Sequence, residues 1–244
     1  AFLEKAIDSV ALNARSIALS DAHGLTKIKF REGGSFDAHG HDEHDEHDKH
    51  DDHDKHDDHD DHDKHDDHGH EGYDPHVWLD PENAKALIHE IEEALVAADP
   101  ENAATYERNA EAMMRKLDAL ITEIDAELEP VKGKGYVVFH DAYQYFDRRF
   151  GVSAVGSITV SPEILPGAKR VSELQEKVKS LDATCVFSEP QFEPKLVTTI
   201  TENTTARTGV LDPLGASMEG GPGLYFTLIR TMAHSLKDCL LGKS

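Results

Sequence analysis

GYVVFHDAYQYFDRRFG, residues 135–151, joins two periods in seventeen positions. YVVFH is a continuous apolar run closed by a histidine, the pattern of a strand buried on both faces. DAYQYFDRRFG then reads as a helix that ends at Gly151, where a residue without a Cβ can take the left-handed conformation. A buried strand followed at once by a helix is the unit of a parallel sheet. The same unit recurs downstream. VSAVG is a strand, GAKRVSELQEKVKSLD a helix, ATCVFSEP a strand, EPKLVTTITENT a helix, RTGVLDP (207–213) a strand and GLYFTLIRTMAHSLKDCLLG the last helix. Four such units predict an α/β, doubly wound parallel sheet, with ligands bound outside the C-terminal ends of its strands.

Upstream the period is helical. Asp80-Pro81 and Asp99-Pro100 are both N-cap-plus-proline starts. After the first, Leu87, Ile88, Ile91, Leu95 and Val96 form an apolar stripe. After the second, Met113, Leu117, Leu120, Ile121, Ile124 and Leu128 recur at three or four residues, predicting one long helix over 100–129 that Pro130 and Gly133 end. At 1.5 Å per residue it is about 42 Å long, enough to cross between two domains. Residues 1–36 read as an amphipathic helix, a short strand at 16–19 and a polar stretch. The chain opens inside an apparent helix, so an upstream part of the domain is expected, and the opening residues lack the basic start and apolar block of a secretion signal.

Residues 37–75 are of another kind. Histidine falls at nearly every third position, with aspartate between, and Ala38 is the one aliphatic residue. No face of such a segment can be buried, which predicts a disordered loop. From residue 37 to 70 sixteen acids face three lysines, so this tract carries -13 of the total charge of -23 over 244 residues. That acidity speaks against nucleic acid, whose phosphates need Lys and Arg, and suits cations. His41, His44, His47, His50, His53, His56, His59, His62, His65, His68 and His70 can take Zn²⁺, Ni²⁺ or Cu²⁺ as neutral imidazoles, but the tract encodes no fixed geometry. It predicts several weak, interchangeable sites. No apolar run approaches the length of a membrane helix.

A defined site is expected at the strand ends. His140 closes YVVFH, Asp212 closes the strand in RTGVLDP, and His76 stands in DPHVWLD where order resumes. Two imidazoles and a carboxylate form a donor set that Zn²⁺ accepts. Each also has a plain reading: a satisfied core histidine for His140, a turn cap for Asp212, the last member of the tract for His76. Glu189 is a further candidate ligand or supporting carboxylate, but Pro190 and Pro194 beside it favour a simple turn. The chain has neither a nucleophile elbow, nor a phosphate loop, nor an HExxH zinc-protease signature, and His89-Glu90 lacks the second histidine. The protein is not expected to be an enzyme. Cys185 lies in a strand-like run and Cys239 in the last helix; spacing alone allows two buried thiols or one disulfide.

HVWLDP, GYVVFHDAYQYF, PEILPGA, TCVFSEPQF and GVLDPLG, in that order, resemble the zinc-binding solute receptors of bacterial ABC importers, the ZnuA-type branch of the metal-binding receptor family. A His/Asp-rich loop before HVWLDP is a feature of that branch. The resemblance implies two Rossmann-like lobes with parallel sheets joined by one long helix: a partial N-terminal lobe over 1–99, a linking helix over 100–129 and a C-terminal lobe over 130–244. It implies Zn²⁺ held in the interlobe cleft by His76, His140 and Asp212, a Cys185–Cys239 disulfide, a periplasmic location and a monomer. The partners it implies are the membrane permease of the importer and a periplasmic zinc chaperone. The family's first histidine ligand lies in a segment before residue 1, so the first lobe should be incomplete. Ser157 stands where some relatives have a histidine and is left out of the ligand set. Alternatives are a zinc buffer or metallochaperone working through the tract, and a manganese receptor of the same fold, for which so many imidazoles are less suited.

Overall fold

A computed structural model of the chain describes residues 7, 9, 14–31, 72–159, 167–180, 184–192 and 195–243. The His-rich positions 41–70 lie outside these, as does the PEILPGA segment up to residue 166.

The fold is α/β. Among the described residues its sheet has four parallel strands, β1 (Gly135–His140), β2 (Ser153–Thr159), β3 (Cys185–Ser188) and β4 (Arg207–Val210), in the order β2-β1-β3-β4. β1 is central and buried on both faces, as its unbroken apolar run requires. Alternation along it divides the core. Tyr136 and Val138 point to one side, with Leu120, Ile124, Phe146, Ile229 and Leu236. Val137 and Phe139 point to the other, with Ile158, Leu174, Val186 and Ile200. His140, two positions beyond Val138, ends the strand on the first side.

Among the described residues the named α-helices are α1 (Pro81–Ala98), α2 (Ala103–Leu128), α3 (Gln144–Phe150), α4 (Ala168–Ser180), α5 (Lys195–Thr201) and α6 (Leu224–Leu241). The long helix is thus 26 residues, about 39 Å, with 3-10 turns at Pro100–Asn102 and Glu129–Val131 taking up the rest of its expected span. It buries Ala110, Leu117, Leu120, Ile124 and Leu128 and packs on both α1 and α6. α3 ends at Gly151, in the left-handed region at φ 66°. Glycine is also required at Gly209, where a Cβ would stand 2.5 Å from the Phe187 ring. The Cys185–Cys239 disulfide ties β3 to α6, as the resemblance implies.

Three expectations need correcting. Residues 16–19 form no strand: 14–18 are irregular and Leu19–Asp21 is a 3-10 turn. Apolar character without a neighbouring strand to bond to is insufficient there. The α1 stripe divides, with Ile88 against the core but Ile91 and Leu95 exposed by 43% and 41%. Finally, residues 72–75 are ordered. Tyr73 forms an antiparallel bridge with Lys29, and Asp74 is buried. Among the described residues no helix is long and apolar enough to cross a membrane.

Candidate metal site

Asp80 fixes the approach to the site. Its carboxylate caps α1 by accepting the Glu82 amide at 2.9 Å, as Asp-Pro predicts, and also holds Arg149 of α3 through Nε at 2.6 Å and Nη2 at 2.9 Å. Just before it, Val77–Leu79 is a 3-10 turn. Trp78 in that turn donates Nε1–H to the Pro213 carbonyl at 2.9 Å, and its own carbonyl accepts Tyr225 Oη at 2.8 Å. HVWLDP is therefore pinned to the loop after Asp212 and to α6.

These constraints bring His76 against the end of β1. The Nε2 atoms of His76 and His140 are 3.4 Å apart, and the rings stand 5.3 Å centroid to centroid. Each Nδ1 faces a carboxylate. His76 Nδ1 lies 2.6 Å from Asp74 Oδ1, which also accepts the His76 backbone N–H at 2.9 Å. His140 Nδ1 lies 2.7 Å from Glu189 Oε1. Both carboxylates are nearly fully buried, Asp74 at 1% and Glu189 at 3% exposure. Asp74 Oδ2 accepts Gln144 Nε2 at 3.0 Å, and its carbonyl accepts Tyr145 Oη at 2.8 Å. The Tyr143 hydroxyl is buried beside Glu189 and Asp212 without well-formed hydrogen-bond geometry to either. Burial first, and then the Glu189 charge, push its pKa well above the usual tyrosine value.

Asp212 is engaged elsewhere. Oδ1 accepts Gln191 Nε2 and the Ala216 amide, both at 3.0 Å; Oδ2 accepts the Ser217 amide at 3.0 Å and its hydroxyl at 2.9 Å. Burial alone would raise its pKa, but these donors outweigh burial and hold it below the ordinary carboxylate range. The structure thus brings His76 and His140 together, while Asp212 is fastened to the loop after it and to Gln191. Among the described residues no three His, Cys, Asp or Glu side chains already form a metal-holding group. Ser157 lies on β2 opposite Val138, its hydroxyl buried without a hydrogen-bond partner.

The sequence reading of Glu189 as a simple turn residue is corrected. Its carbonyl does accept the Phe192 amide in a turn, but its side chain reaches His140. Asp74, Gln144, Trp78 and Gln191 were not singled out at all. The Asp-x-His spacing of residues 74–76 was a usable signal, since an Asp carboxylate readily bonds the backbone two positions on.

Comparison with known proteins agrees with this architecture. The sequence profile of the family described as zinc-uptake complex component A, periplasmic, matches residues 1–239. The high-affinity zinc uptake system protein ZnuA of Brucella abortus (strain 2308) is 62% identical over 98% of this chain and 73% of its own length. The protein of the same name from Haemophilus ducreyi is 38% identical over 68% of this chain and 54% of its own. A crystal structure of ZnuA superposes with a TM-score of 0.61 at 29% identity, covering 68% of this chain and 60% of that one. A zinc-bound ZnuA deletion mutant superposes over 98% of this chain and 73% of its own, with a TM-score of 0.68 at 24% identity, a likeness of fold. The chain spans about three quarters of the Brucella protein and less than two thirds of the solved ZnuA chain. This chain belongs to the periplasmic zinc-uptake complex component A family.

Proposed function

We propose that the chain is a periplasmic receptor that takes up Zn²⁺ between its lobes, 1–99 and 130–244, and delivers it to the membrane permease of an ABC importer. One observation carries the reading. Two ligands bound to Zn²⁺ at 2.0–2.1 Å and a tetrahedral angle stand about 3.3–3.4 Å apart, and the Nε2 atoms of His76 and His140 are separated by 3.4 Å. The pair is spaced for one ion with little rearrangement. The high-affinity zinc uptake proteins to which the chain is similar support zinc as the cargo. Their family serves as substrate-binding receptors, so binding and release are the function, with no bond chemistry.

In this reading Asp212 is the acidic ligand. Its four donors keep it ionised, as a ligand must be, and it exchanges at least one of them for the metal. The His-rich tract supplies weak sites that raise the local zinc concentration. A zinc buffer acting through the tract is the second reading, favoured by its histidine density.

Competition titration with a chelator separates the two. His140→Ala should abolish one tight site, whereas deletion of residues 40–70 should leave that site and remove several weak ones. A tight site that disappears with the tract and survives His140→Ala would refute the receptor reading.

A further inference from the structure

The geometry points to Asp74 and Glu189 as positioning residues that hold His76 and His140 in the tautomer presenting both Nε2 lone pairs to a single ion. This rests on the reading that the two histidines are ligands. An ionised carboxylate can only accept hydrogen bonds. With Oδ1 of Asp74 at 2.6 Å and Oε1 of Glu189 at 2.7 Å, each Nδ1 must carry the hydrogen. A neutral imidazole with hydrogen on Nδ1 has its lone pair on Nε2. Both lone pairs then converge across 3.4 Å. Two acceptors facing each other at that distance are unfavourable unless a cation stands between them, so the same bonds that fix the rings also favour occupation.

The carboxylates are themselves fixed. Asp74 takes the His76 amide on Oδ1 and Gln144 on Oδ2. Gln144 opens α3, four residues after His140. His76, on a turn remote in sequence, is thereby aligned on the same end of β1 that carries His140. Glu189 follows β3, whose neighbour is β1, and its Oε1 also lies 3.4 Å from the His140 backbone nitrogen. Neither carboxylate faces solvent, so each places its charge behind an imidazole with less screening than water would give and makes the ring a better donor.

Zinc alone, titrated against a chelator on the full chain, provides the first test. Asp74→Leu and Glu189→Leu should each weaken the tight site by about 10–100-fold with unchanged stoichiometry. Asp74→Asn and Glu189→Gln keep an acceptor oxygen and should weaken it less, by about threefold or more on that scale. The second readout is ¹⁵N NMR of the metal-free protein at pH 8, with the two rings assigned by loss of signal in His76→Ala and His140→Ala. Both imidazoles should be Nδ1–H tautomers in the parent and in the Asn and Gln variants, and mixed in the Leu variants. Folded Leu variants that bind zinc within about twofold of the parent, or that retain the tautomer, overturn the proposal. Where a Leu variant fails to fold, Asn and Gln variants both binding within about twofold do so. If His76→Ala and His140→Ala leave tight binding intact, the ligand reading fails, and the tautomer measurement still decides the positioning role.

Discussion

Trp78 donates its indole N–H to the carbonyl of Pro213, 135 residues later in the chain. A proposed zinc ligand lies near each end of that bond: His76 is two before the tryptophan, and Asp212 is immediately before the proline. The bond therefore sets the distance between two of the three proposed ligands. Trp78→Phe keeps most of the apolar surface and deletes the donor, leaving a carbonyl unpaired. A loss of about 1 kcal/mol in urea unfolding is expected, with a several-fold weaker zinc site. Unchanged affinity in a chelator titration would show that the Pro213 loop needs no such anchor.

Asp80 joins two roles in one carboxylate, capping α1 and pairing with Arg149. Asp80→Ala removes a cap worth about 1 kcal/mol and leaves a half-buried guanidinium without its partner, for a total of about 2–3 kcal/mol. Asp80→Asn keeps a capping oxygen and should cost only the ion-pair share, about 1–2 kcal/mol. Denaturant midpoints with unchanged m-values would measure both. Equal losses in the two variants would assign the whole effect to the ion pair.

The Cys185–Cys239 bond closes 54 residues of chain. In the chain-entropy model a loop of that size contributes about 4 kcal/mol by restricting the unfolded state. The double Cys185→Ala/Cys239→Ala variant should therefore lose about 2–5 kcal/mol. Reduction of the parent under denaturing conditions should give a similar midpoint. A double variant as stable as the oxidised parent would mean that the unfolded chain is already compact around this contact.

The sequence showed the strands and helices of residues 135–241 because each face of the sheet writes its own apolar pattern. It singled out His76 and His140, which the structure brings together, because His140 closes a strand and His76 stands where order resumes. Other features depend on what a residue meets. The fate of residues 16–19 and of Ile91 and Leu95 turns on the neighbouring surface, which no local period encodes. Glu189 was misread because its prolines do report a turn, and a turn's backbone leaves the side chain free to point inward at His140. The four hydrogen bonds on Asp212 come from Gln191 and from the loop after it. Only folding brings Gln191 there.

Asp147 gives the fold a pH dependence separate from zinc. It is buried below β1, accepts hydrogen bonds from the Tyr136 hydroxyl and the Ala154 amide, and lies 3.6 Å from Arg31. Burial pushes its pKa up to about 6, against the opposing pull of Arg31. An unfolded aspartate titrates near 3.9. Between those values the folded protein holds a proton that the unfolded chain has released, so this group makes the fold more stable as pH falls from 6 towards 4. Above pH 6 the buried charge opposes folding. Asp147→Asn removes the titration. From pH 7 to pH 5, in chelator, the stability of the parent should gain about 1 kcal/mol relative to the Asn variant. Urea midpoints at pH 7, 6 and 5 measure that difference, and a gap that stays constant, or moves the other way, would mean that Asp147 is ionised throughout and that Arg31 outweighs its burial.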